Sequence, residues 1–144
     1  MKKLLVLLCA SGLVLALGSC AARQQELVDG YYCAQMQEYK NGWKEFVTIR
    51  VSGGEIVSVE YNAKNAAGFI KSWDMSYMRN MDTRAGTYPN RYTRTYGAFL
   101  LEAQSPEGVD TVAGATSSGG SFRAMSAALL EKAKAGDTTL AVVE

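Results

Sequence analysis

Phe46-Val47-Thr48-Ile49-Arg50-Val51-Ser52-Gly53-Gly54-Glu55-Ile56-Val57-Ser58-Val59-Glu60-Tyr61 reads as two strands and the turn between them. Val47, Ile49 and Val51 fall on one face, the second half alternates likewise, and Ser52-Gly53-Gly54-Glu55 supplies a glycine turn. That pattern is an antiparallel hairpin with one buried face. Upstream, residues 31–37 read as a further strand. Downstream the period changes: residues 62–68 are turn-rich, and from about Lys71 the side chains Trp73, Tyr77 and Met81 fall four apart with Met78 alongside, which is helical spacing and reads as core. Gly86-Thr87-Tyr88-Pro89 breaks that helix. A second runs over 90–103, where Tyr92, Tyr96, Phe99, Leu100 and Ala103 form an apolar stripe, and Pro106-Glu107-Gly108 ends it. Residues 109–112 read as a short edge strand. Ser118 or Ser121 can cap a last helix reaching Lys134, with Ala135-Gly136 as its glycine end. The expected fold class is α+β: one small domain, an antiparallel sheet with helices packed on one side.

The N-terminus is an address. Lys2 and Lys3 precede an apolar run over 4–17, which is shorter than the roughly 20 residues of a membrane-spanning helix and has the form of a secretion signal. Leu17-Gly18-Ser19-Cys20 resembles the bacterial lipobox, which implies lipidation of Cys20 as the first residue of the mature protein. The chain then divides into a signal peptide (1–19), a lipidated tether (20–28), a folded domain (29–136) and a C-terminal tail (137–144). The expected location is the extracytoplasmic side of the cell membrane or of an outer membrane, the latter favoured by Ala21 where the cell has one.

Composition removes several functions. The 144 residues include 15 Lys+Arg, 14 Asp+Glu, three cysteines and no histidine. Loss of residues 1–19 takes Lys2 and Lys3 away and leaves 13 basic against 14 acidic side chains, so nothing draws the mature chain toward nucleic acid. Without imidazole there is no Ser-His-Asp or Cys-His engine. With Cys20 lipidated, Cys33 has no disulfide partner, and its place in Tyr31-Tyr32-Cys33-Ala34 reads as a buried small hydrophobe. Redox or transfer chemistry in this chain therefore falls to a cofactor.

Asp110-Thr111-Val112-Ala113-Gly114-Ala115-Thr116-Ser117-Ser118-Gly119-Gly120-Ser121 leads small residues and hydroxyls straight into a helix. The first N–H groups of a helix lack internal partners and the dipole is positive there, so the stretch can cradle a phosphate. On these grounds alone a plain loop with a serine cap stands equally open. The stretch resembles the flavinylation motif of the FMN-binding domain family, in which an Asp, three residues and then Gly-Ala-Thr present a threonine joined to the FMN phosphate. Asp29-Gly30-Tyr31, Gly42-Trp43-Lys44, residues 53–61 and Gly68 through Lys71-Ser72 resemble the rest of that family's lipoprotein branch. The resemblance implies FMN as cofactor, Thr116 as its attachment point, Asp110 as the upstream acid, Gly114 and Ala115 as close-approach backbone, and Ser117 and Ser118 as donors. It departs from the commonest motif at Ala113, where Ser or Thr is usual.

The same resemblance implies a flavin transferase as modifying partner, a membrane-bound electron donor and an extracytoplasmic acceptor, the protein being an electron carrier rather than a stand-alone enzyme. A flavin ring needs an aromatic or apolar floor; Trp73, Met75, Tyr77, Met78 and Tyr88 can supply it, although helical spacing also makes the Trp73 row core. Arg79, Arg84, Arg91 and Arg94 read as a solvated face, with one of them or Lys71 available to a phosphate. Two rival readings stay open: noncovalent binding of FMN or another phosphorylated ligand, and a structural or adhesive surface lipoprotein without cofactor.

Overall fold

The computed structural model of the chain describes residues 26–144. The expected signal peptide, Cys20 and most of the tether lie outside the described residues.

The alternating stretch forms strands β2 (Lys44–Ser52) and β3 (Glu55–Lys64), antiparallel, with Val47 opposite Tyr61 and Ile49 opposite Val59. Ser52 pairs with Glu55, so the loop is Gly53-Gly54 alone, with φ of 64° and 78°. Both angles are left-handed, which glycine adopts without penalty and which matches strand twist. Strand β1 (Gly30–Met36) adds antiparallel to β2. The expectation of an antiparallel sheet and a free tail needs correction at the other edge. Ala141–Val143 forms β4, parallel to β1, giving the order β3-β2-β1-β4 and a mixed sheet.

Helices α2 (Pro89–Ala103) and α3 (Thr116–Ala135) cover one face. Val47, Ile49, Val51 and Tyr61 meet Tyr92, Tyr96, Leu100, Phe122, Met125 and Leu129 in a single buried cluster. The other face stays open, and the thiol of Cys33 lies on it, exposed and 3.4 Å from Thr48 Oγ1. Cys33 is therefore not the buried hydrophobe expected: alternation turns Tyr32 and Ala34 inward and so turns Cys33 out.

Four further expectations shift. Lys71–Trp73 is a 3₁₀ turn, and α1 (Met75–Ala85) starts only after Asp74, whose carboxylate accepts from Tyr77 N at 2.9 Å. Helix α1 buries no residue fully and Trp73 is 65% exposed, so of that row Met81 alone packs, half-buried, against the core. Residues 109–112 form no strand; they follow a 3₁₀ turn at Pro106–Gly108 as a loop into α3. That helix starts at Thr116, before either serine proposed as its cap, with Ala115 in the capping position and no side-chain cap, and it ends at left-handed Gly136 as expected.

Candidate functional site

The loop before α3 is held from beneath by the tyrosines of the core. Tyr96 Oη accepts from Val112 N at 3.1 Å and donates to the Ala115 carbonyl at 3.1 Å. Tyr61 Oη lies 2.7 Å from Glu45 Oε1 and 2.9 Å from the Ser118 carbonyl, and donates to one or the other. Its phenol is pushed well above the ordinary 10.0, by burial first and then by the Glu45 charge. Gly114 closes the turn with φ of 77°, and a Cβ there would stand 2.3 Å from the Ala85 carbonyl oxygen. No side chain but hydrogen fits where the loop meets the end of α1.

These contacts leave the N-terminus of α3 without a side-chain cap, and the first N–H groups of a helix have no partner within it. Thr116 and Ser117 are exposed on that turn, and Lys40 Nζ donates to Ser117 Oγ at 2.7 Å. The turn forms one wall of a cavity of about 310 Å³. Across it, Trp43 and Tyr77 meet edge to face at 6.1 Å. Lys71 Nζ sits 4.6 Å from the Tyr77 ring centre and 6.0 Å from that of Trp43. Tyr92 stands between Lys71 and Ser118: burial pushes its phenol up, and the Lys71 charge and the Ser118 contact hold that rise back. Glu45 supplies a carboxylate in the lining.

Of the residues singled out in the sequence, Lys71, Tyr77, Gly114, Ala115, Thr116, Ser117 and Ser118 border this cavity. Asp110 is exposed on the loop outside the lining, Met75 is exposed and Met78 half-buried on α1, and neither methionine lines the cavity. Trp73 and Tyr88 do not line it either; Trp73 instead meets Phe69 edge to face on the surface. Arg79, Arg84, Arg91 and Arg94 are all exposed. Lys40, Asn41, Trp43, Glu45, Met81 and Tyr92 were missed as lining residues. Only Trp43 carried a signal, the Gly42-Trp43-Lys44 piece ahead of a strand.

Fold and cavity together define a class: a small α+β domain whose mixed sheet and two packed helices carry an aromatic-lined pocket at one helix N-terminus. No protein-family model matches the chain. It is 38% identical over 126 residues to the 15 kDa lipoprotein of Treponema pallidum (strain Nichols), a match spanning 87% of this chain and 88% of that protein, and it belongs to that lipoprotein's family. Among solved structures, the CPE2226 protein from Clostridium perfringens superposes with a TM-score of 0.78 at 31% identity, covering 81% of this chain and 97% of its own. No helix among the described residues is long and apolar enough to cross a membrane.

Proposed function

We propose that this chain is a lipid-anchored, extracytoplasmic flavoprotein that carries FMN on Thr116 through a phosphoester and passes electrons between a membrane-bound donor and an extracytoplasmic acceptor. The observation that carries the reading is a convergence: one cavity holds the exposed Thr116, the uncapped first turn of α3 and a buried lysine, Lys71, with no carboxylate partner among the described residues. Those are the groups a phosphate ester needs. The Trp43–Tyr77 pair offers the apolar floor a flat ring needs. FMN supplies one- and two-electron chemistry at its ring, so the protein's part is to hold and orient it, a part that requires no histidine. The 15 kDa lipoprotein relative and the Leu17-Gly18-Ser19-Cys20 motif support the anchor.

Ala113, where the flavinylation motif usually has a hydroxyl, favours one second reading: FMN held in the same cavity without a covalent bond. A single experiment separates them. The mature chain is co-expressed with a flavin transferase, denatured, run on a gel and viewed for flavin fluorescence, with intact mass read for one FMN less water. Fluorescence that survives denaturation and disappears in Thr116→Ala is the expected result. Yellow protein that bleaches on denaturation moves the reading to noncovalent binding, and colourless protein removes flavin altogether.

A further inference from the structure

Lys71 is 9% exposed, and a lysine so far from water ordinarily has an acidic partner. Among the described residues the ion pairs are Lys132 with Asp137 and Lys134 with Glu131, and Lys71 belongs to neither. What surrounds its ammonium instead is the π-face of Tyr77, the ring of Trp43 and the hydroxyl of Tyr92. These orient a cation and compensate part of its lost hydration, but none neutralises it. The side chain lines the cavity, one tyrosine away from Ser118 on the uncapped turn of α3. An anion resting on that turn would have the helix N–H groups on one side and this ammonium on the other. The lysine is thus an independent sign of a ligand at a helix end that would otherwise signify nothing.

We propose that Lys71 is the anion-selecting residue of the pocket, holding the phosphate of a flat aromatic phosphate monoester noncovalently and independently of any bond to Thr116. The assignment rests on the flavin reading above and adds to it a recognition step that belongs to the apoprotein. Lys40, exposed and already donating to Ser117, is the weaker cation, because an exposed charge is screened by solvent. Glu45 is the opposing charge in the wall, and its contact with the Tyr61 hydroxyl ties it to the α3 side of the cavity.

The test uses the mature chain carrying Thr116→Ala, so that no phosphoester can form. It is titrated with FMN and with riboflavin, which shares the ring but lacks the phosphate, and quenching of flavin fluorescence reports binding. FMN is expected to bind about tenfold or more tightly than riboflavin, the effect of one buried charge-assisted contact. Inorganic phosphate should displace FMN and leave riboflavin bound. Adding Lys71→Met should erase the preference for FMN, and Lys71→Arg should keep part of it. A Lys71→Met form that melts like its parent and still prefers FMN overturns the assignment, as does a Thr116→Ala protein that binds both flavins equally or neither. Should Lys71→Met not fold, Lys71→Gln and the phosphate competition decide. The two readings fail separately: wild-type chain that is labelled covalently while its Thr116→Ala form binds no flavin keeps the attachment and loses the role of Lys71, whereas wild-type chain that stays colourless with the transferase loses both.

Discussion

A methyl group added at Gly119 would sit 2.3 Å from the Tyr96 hydroxyl oxygen and 2.8 Å from its Cζ. In an isolated helix Gly→Ala is worth about 1 kcal/mol of added stability. Here the clash outweighs it. The ring that must move is fully buried and its hydroxyl ties down Val112 and Ala115, so overpacking of about 1–3 kcal/mol comes with two weakened hydrogen bonds of about 1 kcal/mol each. Gly119→Ala should therefore lower stability by about 1–3 kcal/mol in urea unfolding. A variant more stable than wild type would show that Tyr96 does not hold the loop. Gly114 stood out in the motif as backbone for the approach of a phosphate, whereas what excludes a side chain there is the Ala85 carbonyl; Gly119 did not stand out, since its reason is a ring 23 positions away in the chain. Cys33 shows the complementary failure: its strand was recognised, but reading the run as apolar overlooked the alternation that sends every second side chain outward.

At the scale of elements, the stripe on α2 read as apolar, and Tyr92, Tyr96 and Leu100 are indeed buried. Spacing gives the face of a helix and not the destination of a hydroxyl, so the part these tyrosines play beneath the α3 turn became visible only with β3 and α3 packed beside them. For the same reason Trp73 and Tyr77 looked like core together with Met81, which alone of the row packs against it: helical spacing says nothing about whether a second surface lies opposite. Strand β4 has three residues, too short for any period to register. The buried phenols also give α2 and β3 a pH signature. Tyr61 and Tyr92 are both raised above the ordinary 10.0 by burial. An acid whose folded pKa is raised binds its proton longer when folded, so its contribution is intact below the unfolded value and is lost as pH rises through and beyond about 10. Stability should be flat toward mildly alkaline pH and fall above it, with phenolate absorbance appearing together with unfolding. Tyr61→Phe should be less stable near neutrality, where it lacks the Ser118 and Glu45 contacts, and should fall less steeply in alkali. Phenolate absorbance rising in full while the fold persists would contradict this.

The molecule as a whole has two poles. Chain entering from the tether is fixed at one of them: Val28 N donates to the Ala133 carbonyl at 2.9 Å near the end of α3, and Asp29 accepts from Gly54 N at 3.1 Å at the hairpin turn. The cavity lies at the other, where α3 begins. Helix α3 has 20 residues, so the poles stand about 30 Å apart at 1.5 Å per residue. The eight steps from Cys20 to Val28 reach about 28 Å when fully stretched. With the anchor proposed above, a lipid on Cys20 would join the bilayer to the tether pole, and the arrangement we propose turns the cavity at the far pole to the aqueous side, toward the proposed acceptor. The chain has two tryptophans, Trp43 in the cavity wall and Trp73 in the same 3₁₀ turn as the lining residue Lys71, so intrinsic fluorescence reports the position of that pole without a label. In liposomes whose acyl chains carry bromine, emission from the lipidated protein should match that in unbrominated liposomes. A tryptophan introduced at exposed Glu26, on the tether side, should be quenched. Strong quenching of the native pair would place the cavity against its own membrane, and the acceptor would then have to be sought within the bilayer.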